Sequence, residues 1–179
     1  MLTTCFYCKL FILLQLGLKK KNIKIMKSKL FEFDMVIYPF PVLVSKSFDW
    51  KELEENFWVV TGKNTCEDFN GGLEPTATRC AHTCEVVSKN NEHMYYLILL
   101  YIPESVTAGT MAHEAGHVST FLGERLGFQD RNFKNDEPYA YLDQFVADCI
   151  DSVMRDDAKK MNGKLFSFKA KSGPEEKNK

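Results

Sequence analysis

An α+β fold is predicted for this 179-residue chain by the order in which its two periodicities appear. Three strand-like runs precede Thr107, and two long helical stretches follow it. The first helical stretch carries its apolar residues on one stripe, so it must be buried against a partner, and an apolar sheet face is what the preceding residues provide. The expected architecture is a small, mostly antiparallel sheet packed on a helix over 107–126, with a second helix from about Pro138 alongside.

The elements follow in order. "DMVIYPFPVLV", residues 34–44, is rich in β-branched and aromatic residues but interrupted by Pro39 and Pro41, which predicts an edge or bulged strand. In "SFDWKELEENFWVV", Ser47 or Asp49 reads as a cap, and Trp50, Leu53 and Phe57 fall at helical spacing, so a short helix is expected. "NTCEDFNGGLEPT" has the Asn, Gly and Pro content of a loop. "ATRCAHTCEVVS" alternates as a half-buried strand does, and the "NNEH" turn joins it to the apolar run "MYYLILLYI" as a hairpin. From Thr107, Met111, Ala115, Val118 and Leu122 form a helical stripe that Gly127 ends. "EPYAYLDQFVADCIDSVMRDDAKKM" opens with Pro138 in a first turn, where proline is well tolerated.

At 45% hydrophobic, the chain has apolar material for one core. The organisation expected is an extension over 1–25, one domain over 26–160, and a charged, disordered tail over 161–179 that ends "KSGPEEKNK". Met26 is the favoured start of the functional chain. A net charge of −1, from 23 basic and 24 acidic residues, gives no field to gather nucleic acid or anionic lipid. The apolar run Leu10–Leu18 is shorter than the roughly 20 residues a membrane span needs, so no membrane insertion is expected. Lys19, Lys20 and Lys21 follow that run, whereas a secretory signal carries its charge before it. With export poorly supported, the six cysteines are read as reduced and the location as cytoplasmic. Cys5 and Cys8 form a weak metal-type pair without a second pair at a zinc-ribbon distance. Cys80, His82 and Cys84 share one face of a strand, as a second metal site or, better, as a half-buried strand face.

The chemistry is concentrated in "TAGTMAHEAGHVSTFLGERLGF". It holds two of the chain's four histidines, His113 and His117, with Glu114 directly after the first. Four residues along a helix return a side chain to nearly the same azimuth, so both imidazoles can reach one ion. Glu114 points to the flank, where it can take a proton from a metal-bound water as general base. The bland alternative is three polar residues on a helix surface with Glu114 solvated. Ala112, Ala115 and Gly116 leave room for close approach, and a glycine inside a helix costs about 1 kcal/mol, which argues for a compensating role. Two histidines and a carboxylate suit Zn²⁺ best, although manganese or iron would accept similar donors. A catalytic zinc site has three protein ligands and one open position. His82 and His93 precede the motif, so the third ligand is expected among Asp130, Asp136, Glu137, Asp143 and Asp148. Glu137, which begins the next helix, is favoured, and Asp136 is the runner-up; either acidic residue could instead cap that helix.

"HEAGH" followed by "NDEPYAYL" resembles the gluzincin branch of zinc metallopeptidases, in which a glutamate on a following helix is the third ligand. More narrowly, "VIYPFPVLV", "HEAGH" and "DEPYAYLDQFVADCI" in that order are similar to small zincin-like proteins of phages and prophages, particularly those of Bacteroides-type hosts. The resemblance spans roughly residues 31–154 and is specific at the two motifs. It implies a zincin-like fold, His113, His117 and Glu137 as zinc ligands, Glu114 as base, and Pro138, Ala140 and Tyr141 shaping the second helix. Cys80 and Cys84 have no family counterpart, and no residue is matched to oxyanion stabilisation.

Three functions fit. One is a metallopeptidase acting on a peptide or protein, its substrate extended along an edge strand such as Met94–Ile102. Another is a phage morphogenesis or virion-associated protein that keeps the zinc site while binding phage structural proteins. The third is a toxin-like or regulatory peptidase with one host target. A binding protein needs the ligands but not the base, so the presence of Glu114 favours an enzyme.

Overall fold

The computed structural model describes residues 28–62, 65–69, 79–127 and 136–168. The expectations for residues 1–27, including Met26 and the Cys5–Cys8 pair, and for residues 169–179 lie outside them.

Seven strands form one mixed sheet: β1 (Phe31–Phe33), β2 (Val42–Ser45), β3 (Phe57–Gly62), β4 (Thr65–Asp68), β5 (Ala81–Ser88), β6 (Met94–Leu100) and β7 (Lys164–Leu165). Their order is β4-β3-β5-β6-β2-β1-β7. β2 and β6 run parallel, and every other pair is antiparallel. Three helices accompany the sheet: α1 (Trp50–Asn56), α2 (Ala108–Leu126) and α3 (Glu137–Met154). The α+β class and the dominance of antiparallel pairing are as expected.

β6 shows why its sequence is apolar throughout. Tyr96, Ile98 and Leu100 face α2 and α3, packing with Val118, Leu122, Val146 and Ile150. Tyr95, Leu97 and Leu99 face the other way, into a second cluster with Leu53, Phe57, Phe69 and Val86. A strand covered on both faces has no polar side to alternate with. β6 lies between β5 and β2, so no substrate strand can add to its edge, and the expected docking on Met94–Ile102 is corrected.

Other expectations shift for local reasons. The prolines of "DMVIYPFPVLV" fall in the connection before β2, which is fully buried and interior, not an edge. In that connection Val36 is exposed with φ of 58°, its amide donating to the Asp34 carboxylate at 2.9 Å. The segment beginning "SFDWKELEEN" is helical only to Asn56, with Asp49 as the cap accepting from the Lys51 and Glu52 amides; "FWVV" then becomes β3. β3 folds back on "TCED", which is β4 and not part of a loop. At the far end, Lys164–Leu165 pairs with β1, and Phe166 and Phe168 pack on Phe57. The ordered domain therefore continues past residue 160 to at least Phe168, because these aromatic side chains bury themselves on the sheet.

α2 matches its predicted limits, whereas α3 begins where expected but ends at Met154, and Ala158–Met161 forms a separate 3-10 turn instead of continuing the helix. Thr107 caps α2 by accepting from the Thr110 amide at 3.2 Å, and Gly127 closes it with φ of 65°, a left-handed conformation that suits glycine. Ala115, Val118 and Leu122 are buried and Met111 is partly so, as the stripe requires. Gly116 makes no close approach, since an added Cβ would meet nothing within 4 Å. The close approach is at Gly123, where a Cβ would lie 3.0 Å from the Tyr139 hydroxyl of α3. No helix among the described residues is long and apolar enough to cross a membrane.

Candidate metal centre

The first three turns of α2 and the start of β5 border an open cavity of about 590 Å³. Gly109, Thr110, His113, Glu114 and His117 form the helix wall, and Arg79, Cys80, Ala81 and His82 form the strand wall. All three residues of the motif therefore face one space.

Their geometry is specific. The Nε2 atoms of His113 and His117 stand 3.1 Å apart, with the two rings nearly perpendicular. Two nitrogens each about 2.0–2.1 Å from one ion subtend a separation of this size, so the pair fits two ligands of a single Zn²⁺. Phe121, one turn beyond His117, stacks on its ring at 6.1 Å and on Tyr96 at 6.4 Å, which fixes the imidazole plane. Helical spacing alone could have pointed to Phe121.

Glu114 is not a solvated surface residue. It is 5% exposed, and its Oε2 accepts from the Thr83 hydroxyl at 2.6 Å. Thr83 lies on β5, so the sheet holds the carboxylate that the helix delivers. Near the other end of α2, Arg125 donates to both carboxylate oxygens of Glu85 on β5, at 2.7 and 3.3 Å. These two ties hold α2 against β5. Neither is visible from sequence spacing, because both partners are more than thirty residues away.

The strand wall adds groups that motif reasoning passed over. His82 is driven down to about 4 by burial, then by the Arg79 and His117 charges, and is neutral at pH 7. Burial pushes the Tyr101 hydroxyl up to about 12, against the nearby Arg79 charge, which lowers it. The Arg79 Nη1 is buried without a hydrogen-bond partner, a condition that costs about 1–3 kcal/mol when nothing offsets it. Cys80 contacts the Thr110 hydroxyl at 3.9 Å. Cys84 is buried in the opposite cluster and pushed up to about 12 by burial, then by Glu85 and Glu114, as a packed core thiol would be.

The downstream carboxylates are placed elsewhere. Ser119 hydrogen-bonds Asp143, and Gly123 meets Tyr139, which fixes the antiparallel register of α2 against α3. Carried on, that register sets Glu137 level with Arg125, eight residues or roughly 12 Å along the axis from His117. Glu137 and Asp136 are exposed, and neither lines the cavity. Asp136 stands at the N-cap position of α3 without a side-chain capping bond. Asp148 is exposed, and Asp130 lies outside the described residues. Among the described residues, no three His, Cys, Asp or Glu side chains come together as a metal-holding group. The structure thus assembles His113, His117 and Glu114, and does not bring Glu137 to them. No protein-family model, curated protein or solved structure matches this chain.

Proposed function

We propose that the chain is a zinc-dependent peptide hydrolase of zincin-like design. The carrying observation is the convergence of His113 and His117 at 3.1 Å beside a buried Glu114 that Thr83 holds in place. A site meant only to bind metal would not need a carboxylate buried next to the pair at the expense of its hydration. Zn²⁺, when bound, supplies a Lewis acid that polarises a carbonyl and acidifies water. The protein's part is to present both imidazole Nε2 atoms to one point, which requires the proton of each neutral ring to sit on Nδ1. Glu114 accepts the proton of the attacking water and returns it to the leaving amine. The Thr83 hydroxyl occupies one carboxylate oxygen and leaves the other free for that transfer.

A peptide substrate has an edge to lie on. Pairing of β3 with β5 ends at Val59↔Val86, so on that side Ala81–Glu85 has no strand partner among the described residues. This stretch leads directly into the cavity wall, which favours strand addition to β5.

The test is Glu114→Gln, with zinc measured by elemental analysis and hydrolysis by a peptide-library screen. Zinc content should be retained, while turnover falls by roughly the 10² to 10⁴ typical of a lost general base. Equal hydrolysis by wild type and variant would sink the reading. The third donor is the open element. Because Glu137 is exposed and off the cavity, Glu137→Gln should leave zinc affinity unchanged, and a loss of affinity would make that glutamate the third donor.

A further inference from the structure

His82 is a cavity-wall side chain that the proposed chemistry leaves unused. Polar neighbours on the same walls are engaged: Glu114 accepts from Thr83, and the Thr110 hydroxyl contacts the Thr107 hydroxyl at 3.2 Å and the Cys80 thiol at 3.9 Å. His82 is half-buried and makes no hydrogen bond or ion pair with any described residue. It stands on the stretch Ala81–Glu85, where β5 has lost its β3 neighbour and the sheet presents an edge among the described residues. Burial first, and then the Arg79 and His117 charges, act on its imidazole, so His117 lies within electrostatic reach of it. Yet His82 does not join His113 and His117 as a metal-holding group. A donor that shares the cavity with the two imidazoles without joining them leaves room for an atom of a ligand in between. An oxygen held between an ion and an N–H donor needs such a space, roughly 5 Å from end to end.

We propose that His82 donates a hydrogen bond to the carbonyl oxygen of the peptide bond under attack, supplying the oxyanion stabilisation that no residue of the motif provides. The inference deepens the hydrolase reading and rests on it. As the water oxygen bonds to the carbonyl carbon, the π pair of the carbonyl moves onto its oxygen and a water proton passes to Glu114. His82 transfers no proton in this step, and its N–H meets the charge that develops. An imidazole carries at least one N–H in either protonation state, so the role does not depend on how His82 titrates. One fixed donor of this kind contributes roughly 10² to 10³ in kcat.

The experiment uses full-length protein loaded with zinc, as wild type, His82→Ala and His82→Gln, each checked for folding by circular dichroism. Zinc affinity is read by competition with a chromophoric chelator. Binding of N-phosphoryl-leucinamide, a tetrahedral anion shaped like the attacked carbonyl, is compared with that of planar N-acetyl-leucinamide by NMR titration. Wild type should prefer the tetrahedral probe. His82→Ala should keep the wild-type zinc affinity and lose roughly tenfold or more in affinity for the tetrahedral probe alone, the scale of one hydrogen bond to a charged group. His82→Gln retains an N–H donor and should recover part of that loss. Where a peptide is cleaved, His82→Ala should lower kcat by roughly 10² to 10³ and leave KM nearly unchanged. Weakened zinc binding by folded His82→Ala would make His82 a metal ligand and overturn the proposal. So would unchanged affinity of that variant for the tetrahedral probe, an equal loss on both probes, or no preference in wild type. A His82-dependent preference for the tetrahedral probe, with no peptide cleaved in the library screen, would end the hydrolase reading and leave the hydrogen-bond assignment standing.

Discussion

Helices α2 and α3 are 19 and 18 residues long, lie against each other and cover the same face of the sheet, yet they bury different things. α3 buries Tyr139, Leu142, Val146, Cys149, Ile150 and Val153, with Ser152 satisfied by the Cys149 carbonyl at 2.8 Å. α2 buries Ala115, Val118 and Leu122 but adds Glu114, Ser119 and a glycine against Tyr139. The sheet would accept an apolar side chain in place of Glu114 more readily than a carboxylate. The contrast teaches where to look for function: α3 is shaped by packing, and the first half of α2 departs from packing where it meets the cavity.

Ile150→Ala should sharpen this contrast with the largest effect on stability. Ile150 is fully buried, so the loss of its side chain and the cavity it leaves should cost about 2–5 kcal/mol. Calorimetry should show the fall in Tm, while zinc bound per folded molecule stays at the wild-type value. Loss of zinc from folded protein would mean that α3 shapes the metal centre directly.

The two glycines of α2 should respond in opposite directions. At Gly123 a Cβ would press on the Tyr139 ring, 3.0–3.2 Å away, and overpacking of this kind costs about 1–3 kcal/mol. At Gly116 the same atom meets open space, and Ala should stabilise the helix by about 0.5–1 kcal/mol. Urea denaturation of both variants decides it. Destabilisation by Gly116→Ala would restore the idea that this glycine admits a close neighbour.

A smaller effect concerns pH. In the unfolded chain His82 titrates near 6.5, and in the folded protein burial and the neighbouring charges lower it to about 4. As pH falls through 6.5 the unfolded chain takes up the proton first, so stability is lost between pH 6.5 and 4 and is constant in this respect above. Metal-free wild type should therefore lose stability more steeply over this window than His82→Asn, by less than one proton's slope. Parallel curves would place His82 in water.

The helical half of the molecule was legible in the sequence because its determinants are local. The stripe of Ala115, Val118 and Leu122, the Gly127 stop and Pro138 in a first turn each act within a few residues. The strand half was legible only in part. "TCED" passed for loop because β4 is exposed along its length and has no apolar side to display. "VLVS" passed for an edge because Pro39 and Pro41 lie just outside a strand whose interior position depends on β6, some fifty residues away.

The candidate site divides in the same way. The sequence by itself determined that His113 and His117 share one helix face with Glu114 beside them, since a 3.6-residue repeat leaves no other arrangement. Only the tertiary structure decided that Glu114 is buried and bound to Thr83, that Arg79 and His82 share the cavity, and that Glu137 is exposed and does not line it. Those facts depend on which strand the helix crosses and on the register of α2 against α3. That register is set by side-chain fit at Gly123 with Tyr139 and Ser119 with Asp143, contacts between residues 16 and 24 apart that no periodicity encodes.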